Sequence, residues 1–127
     1  MQHSFTIRAL VDRLAICSLP AQAPLPEWAA KESLWSVTRT PDELSIVCPE
    51  ANVPPDIQAD RGWVPLKVMG PLPLTMTGVL SSLAEPLARA GITIFAISTY
   101  ETDIVLIRAA DLRKAIEALS AAGHRVG

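Results

Sequence analysis

Two short stretches bring together residue types that can hold a charged small molecule. Thr77-Gly78 stands where a run of helical spacing begins, so unpaired amide N–H groups and the positive end of the helix dipole would face whatever lies there. Gly78 lets a guest come close to the backbone, and a free carboxylate is the natural guest. Asp103 offers the opposite sign at the start of a strand beside a hairpin turn, where it can pair with an ammonium group or a cationic side chain. An anion site close to a cation site is what a zwitterion needs. Each has a plainer reading as well: Thr77 as a capping hydroxyl, and Glu101 and Asp103 as solvated turn residues.

The same inventory points away from catalysis. Ser81-Ser82 and Ser98-Thr99 carry hydroxyls, but no internal histidine is available as their base and no nucleophile-elbow glycines flank them. His3 and His124 stand near opposite termini, away from any cluster with metal-ligand spacing, and read as surface histidines; no metal and no cofactor is expected. Cys17 and Cys48 lack a CxxC partner and sit in apolar runs, which reads as buried, reduced thiols in a cytoplasmic setting.

Composition narrows the class further. The 127 residues carry 11 Lys+Arg against 13 Asp+Glu, a formal charge of -2, so there is no surplus to neutralise a phosphate backbone and nucleic acid is not expected as a partner. Half of the residues are hydrophobic and only 5% aromatic, an aliphatic and globular composition. The uncharged stretch at 14–26 is too short to cross a bilayer and is broken by Pro20, Pro24 and Pro26. Leu14-Ala15-Ile16-Cys17 imitates a lipoprotein cleavage site, yet Arg8, Asp12 and Arg13 occupy the run that would have to be apolar, so a signal peptide is rejected. Trp28, Trp35 and Trp63 are expected to seal the core and the interface between the halves, since no basic side chains interleave with them for base stacking.

These residues need elements to position them. Residues 5–10 and 14–19 are β-compatible, and the prolines that follow leave room only for a short helix at 27–31. A hairpin joins 34–38 to 44–48 through Pro41-Asp42, and 49–60 reads as a linker. Residues 64–69 alternate as a strand, with Pro65 confining it to an edge or its proline side to unpaired contact. An amphipathic helix is predicted over 77–90, with Leu80, Leu83, Ala84 and Leu87 on its apolar stripe and Gly91 as its terminator. Pro86 costs about 3 kcal/mol in a helix interior, so a kink is expected there with the Ser82 carbonyl facing water or a hydroxyl. Residues 92–98 and 104–108 form a second hairpin near the sheet centre. A last helix opens at Asp111, carries Leu112, Ala115, Ile116 and Leu119, and closes at Gly123.

Sliding the chain by sixty positions lays SVTRTPDELSIV (36–47) on AISTYETDIVLI (96–107), matching Val37 with Ile97, Leu44 with Ile104 and Ile46 with Leu106. A duplicated unit of this size is that of a ferredoxin-like half.

On these residues a family resemblance rests. GPLPLTMTGVLSSLAEPLARAGITIFAISTYETDIVLI (70–107) resembles the ACT domains of aspartate kinases, and more closely the small paired-ACT proteins similar to the cytosolic arginine sensors; LWSVTRTPDELSIV (34–47) resembles the matching hairpin of their first unit. The likeness implies an α+β fold of two ferredoxin-like ACT units with antiparallel sheets and helices on one face. The first, at 11–60, is truncated; the second, at 61–127, has a strand missing that residues 4–10 would supply. It implies an amino-acid effector at a unit interface, with Gly70, Met76, Thr77 and Gly78 on one loop, Thr99, Tyr100 and Asp103 on the second hairpin, and Ser36 and Val37 on the first. Where the arginine sensors carry an acidic residue three positions after the glycine matching Gly70, this chain has Pro73, which cannot bind a guanidinium. The expectation is a non-catalytic amino-acid-binding regulatory or sensor protein that forms a homodimer. Its rivals are an interaction module without a small ligand and a small enzyme on the same scaffold, for which only Asp103 and Glu101 offer an acid or base.

Overall fold

The computed structural model describes residues 4–31 and 33–127; His3 lies outside them. The elements in chain order are β1 (Thr6–Ala9), β2 (Leu14–Leu19), β3 (Ser36–Arg39), β4 (Leu44–Pro49), β5 (Ala59–Val68), α1 (Val79–Arg89), β6 (Ile94–Ser98), β7 (Asp103–Arg108), α2 (Leu112–Ala121) and β8 (Arg125–Val126), with single 3-10 turns at Glu50–Asn52 and Ala109–Asp111. The chain divides into two compact units. One comprises the described residues 4–11 with Val64–Gly127, the other Asp12–Trp63, and β5 runs from the second into the first.

The unit built on Asp12–Trp63 is a sheet in the order β3-β4-β2-β5. β2 and β4 pair antiparallel over their full length, from Leu14 opposite Pro49 to Leu19 opposite Leu44, and β3 adds to β4 with Val37 opposite Ile46. Side chains alternate across such a sheet, so Ala15, Cys17, Leu44, Ile46 and Cys48 share one face and pack into a core with Ala29 and Val53. Residues 27–31 form turns rather than the expected short helix: the Ala29 N–H donates to the Pro26 carbonyl at 3.1 Å, and the chain is released after one turn. Of the stretch read as linker, 59 and 60 belong to β5.

The other unit is a sheet in the order β6-β7-β5-β1-β8, against which α1 and α2 pack. β1 runs antiparallel to β5, with Ile7 opposite Val68, and parallel to the short β8, with Thr6 opposite Arg125. Val64, Leu66 and Val68 from β5 meet Leu83 and Leu87 of α1, Val105 and Ile107 of β7, and Ala115 and Leu119 of α2 in one core. This is the α+β arrangement expected.

Several local expectations are corrected here. β5 is an interior strand with β1 and β7 as neighbours, so Pro65 does not put it at an edge; the other expected outcome, an unpaired proline side, holds instead. The Pro65 carbonyl accepts from the Leu10 N–H at 2.9 Å, and because a strand residue turns its N–H and C=O the same way, the missing donor faces Leu10, beyond the last residue of β1. The second hairpin is not central: among the described residues β6 pairs only with β7. Trp35 is 42% exposed, whereas Trp63 is buried and donates its Nε1–H to Asp60 Oδ1 at 3.2 Å.

His124 is the largest departure. It is 6% exposed, not a surface residue. α2 ends in a Schellman motif, with the Gly123 N–H on the Ser120 carbonyl and the His124 N–H on the Leu119 carbonyl, both at 3.0 Å, and Gly123 adopts the left-handed φ of 97° that this ending requires. The turn delivers the imidazole to two backbone groups. Nδ1 accepts from the Phe5 N–H at 3.1 Å, which leaves the ring proton on Nε2, 3.0 Å from the Ser82 carbonyl. That carbonyl is the one Pro86 orphans inside α1, so its partner is an imidazole N–H rather than water or a hydroxyl. The Phe5 and His124 rings stack with centroids 5.8 Å apart.

Candidate functional site

The residues between β5 and α1 and those between β6 and β7 come together because backbone groups tie them. Leu72 N–H donates to the Glu101 carbonyl at 2.7 Å, and the Thr102 hydroxyl, buried, donates to the Val68 carbonyl at 2.6 Å. The β6–β7 turn is held from within: Thr99 N–H and Oγ1 both reach the Thr102 carbonyl, at 2.8 and 3.1 Å. Gly70 stands at the meeting point, where a Cβ would lie 2.9 Å from the Leu72 nitrogen and 3.2 Å from the Glu101 oxygen, so the approach of the two loops depends on a residue without a side chain.

Between the loops lies a pocket of about 180 Å³. Its polar wall is residues 98–103; the other wall is Leu72, Pro73, Leu74 and Met76, with Val79 from α1. α1 begins at Val79 after Gly78, which has φ 79° and makes no side-chain cap, so the first turn's amides are not covered by a capping hydroxyl, and Thr77 does not act as one. The hydroxyls of Ser81 and Ser82 turn back onto the Gly78 carbonyl at 3.1 and 2.6 Å. Asp103 is half-buried, opens β7 opposite Ser98, and among the described residues forms no ion pair.

Of the residues the sequence singled out, Met76, Thr99, Tyr100 and Asp103 line this pocket. Gly70 packs against Glu101 beside it, and Thr77 and Gly78 stand just ahead of Val79. Ser36 and Val37 belong to β3 of the other unit, opposite Val47 and Ile46. Sequence reasoning missed Leu72, Leu74, Val79 and Thr102. Thr102 had a visible signal, since Thr99 and Thr102 flank a tight turn with the spacing of a hydroxyl-closed loop; Leu72 had none. The pocket sets the carboxylates of Glu101 and Asp103 across from an apolar wall beside the start of α1, and among the described residues no group of three or more His, Cys, Asp or Glu could hold a metal ion.

Cys17 and Cys48 are buried free thiols of the other unit. Burial raises both, Cys48 to about 11, with the neighbouring sulfur adding to the effect there and Arg61 opposing it.

Comparison with known proteins places this geometry. The family model described as ACT domain matches residues 58–121, and a second model, described as an N-terminal domain, matches 12–56. A crystal structure of the protein Atu0741 from Agrobacterium tumefaciens is 38% identical, with a TM-score of 0.94 over 98% of this chain and 93% of that one. The cytosolic arginine sensor for mTORC1 subunit 1 of Bos taurus is 30% identical over 97 residues, 68% of this chain. The regulatory subunit of aspartate kinase from Thermus thermophilus, 18% identical, shares the fold with a TM-score of 0.60 over 91% of this chain and 96% of that one. The curated relatives are longer proteins: this chain spans 56% of one and 30% of the bovine sensor.

Proposed function

This chain belongs to the ACT domain family, and from that premise we propose that it is a non-catalytic regulatory or sensor protein that binds a free amino acid. The observation that carries the reading is the pocket in which Val79, the first residue of an uncapped helix, and the half-buried Asp103 both take part. In this reading the ligand's carboxylate lies on the amides that follow Gly78 and its ammonium on Asp103. Gly70, Met76, Thr77, Thr99 and Tyr100 complete the shell, and Ser36 and Val37 are the residues that the family resemblance adds. Residues 11–60 form a truncated ACT-like unit; 61–127, with a strand from 4–10, form the second. The setting is cytoplasmic, in keeping with two buried free thiols. No helix of the described residues is long and apolar enough to cross a membrane.

β3 and β6 each have one neighbour among the described residues, and such edges favour pairing of two copies into a symmetric homodimer. Sedimentation that finds only monomer at tens of micromolar, with and without ligand, removes that part of the proposal.

The test of the binding reading is a thermal-shift screen of the twenty amino acids on the full chain. A ligand at about 100 times its Kd adds roughly 2.7 kcal/mol to stability, a shift of several degrees, whereas an interaction module without a small ligand shows none. Asp103→Asn keeps the shape and removes the charge, so it is expected to leave the unliganded Tm within about two degrees and to reduce binding at least a hundredfold. Binding by Asp103→Asn equal to that of the unchanged protein refutes the site.

A further inference from the structure

We infer that this pocket selects a free α-amino acid whose side chain is uncharged and apolar, an inference that rests on the amino-acid reading of the same site. The two walls differ in chemistry. Residues 98–103 bring the polar groups, while Leu72, Pro73, Leu74, Met76 and Val79 face them with hydrocarbon and thioether. Among the described residues no lysine, arginine or histidine lines the pocket.

Each class of side chain meets a different fate there. An acidic one would enter a space whose charged side chains are Glu101 and Asp103, of its own sign, and would find no counter-charge. A cationic one would find Asp103 already engaged by the α-ammonium. The remaining carboxylate, Glu101, is exposed, and an ion pair in solvent adds little. Pro73, within the apolar wall, offers no acceptor side chain. An apolar side chain covers Leu72 and Met76, both half-buried, together with the buried Val79, and takes hydrocarbon out of water on both partners. The cleft of about 180 Å³ has room for a small ligand.

Calorimetric titration of the full chain with leucine, isoleucine, valine, methionine, lysine, arginine and glutamate tests this. At least one of the first four is expected to bind tenfold or more tightly than any of the last three, and Met76→Glu to weaken that binding at least tenfold. Should Met76→Glu fail to fold, Leu74→Glu serves in its place, because Leu74 is 67% exposed and its replacement leaves the core untouched. Lysine, arginine or glutamate binding as tightly as the apolar set overturns the selectivity and leaves the site standing. Binding of no amino acid overturns the selectivity and the site together. Apolar binding that neither the wall variant nor Asp103→Asn weakens puts the guest elsewhere, and overturns the inference as well.

Discussion

Replacing His124 by leucine tests the bridge between the two helices and β1. The substitution keeps the bulk of the side chain but removes the acceptor of the Phe5 N–H at 3.1 Å and the donor to the Ser82 carbonyl at 3.0 Å. Both contacts are part-buried, so each lost partner costs about 1 kcal/mol, the lower end of what an unsatisfied buried group costs. Loss of the ring stack on Phe5 adds about 0.5–1 kcal/mol, for a total of about 2–3 kcal/mol. The sharper measurement is a double-mutant cycle with Pro86→Ala. Alanine restores an N–H at position 86, which closes the helical bond to Ser82 and makes the imidazole's second contact redundant. In that background His124→Leu is expected to cost about 1 kcal/mol less. Urea denaturation followed by far-UV circular dichroism gives the four stabilities, and hydrogen exchange reports whether the Phe5 amide loses protection in both His124 variants. An equal cost of His124→Leu in the two backgrounds, within about 0.5 kcal/mol, refutes the account of Pro86 and the imidazole as partners.

The other predictions concern the thiols and the pocket. Cys48 holds its proton up to about 11 in the fold against an ordinary value near 9, so the folded state keeps a proton the unfolded chain gives up, and stability falls as pH rises from about 9 towards 11. The loss is on the order of 2–3 kcal/mol, and Cys48→Ala is expected to remove that part of the alkaline slope in denaturant titrations run at each pH. Gly70→Ala forces a Cβ against the Leu72 nitrogen and the Glu101 carbonyl, and is expected to lower stability by about 1–3 kcal/mol and to weaken ligand binding; an unchanged Tm counts against the close approach of the two loops. Glu101→Gln, in contrast to Asp103→Asn, is expected to change amino-acid affinity by less than about threefold in the same titration, because its side chain is exposed.

Much of the local structure was legible in the chain. The hairpin of β3 and β4, the apolar stripe of α2, the glycines that end both helices and the orphaned Ser82 carbonyl all follow from spacing within a few residues, where hydrogen-bond periodicity and side-chain alternation act. The sixty-residue offset lays β3 on β6 but not their registers: Val37 faces Ile46, whereas Ile97 faces Ile104, the match of Leu44, so the two hairpins pair two residues apart. The turn of Thr99 to Asp103 and the loop before α1 were recognisable as separate pieces with binding chemistry. That Met76, Thr99, Tyr100 and Asp103 line one pocket was not derivable from either piece alone.

What the sequence determined by itself, then, is most of the elements, though not β8 or the turn at 27–31, together with the aliphatic and nearly neutral character and which backbone groups would need a partner. Tertiary structure decided which partner each received. The Ser82 carbonyl is answered from 42 residues away, the Phe5 N–H from 119, and the Leu72 N–H by a turn on the far side of α1 and β6. Pro65 could sit in an interior strand only because β1 ends where its missing donor points. A chain advertises an unsatisfied donor or acceptor locally, through a proline or a helix end, but the group that satisfies it is fixed by which surfaces bury together.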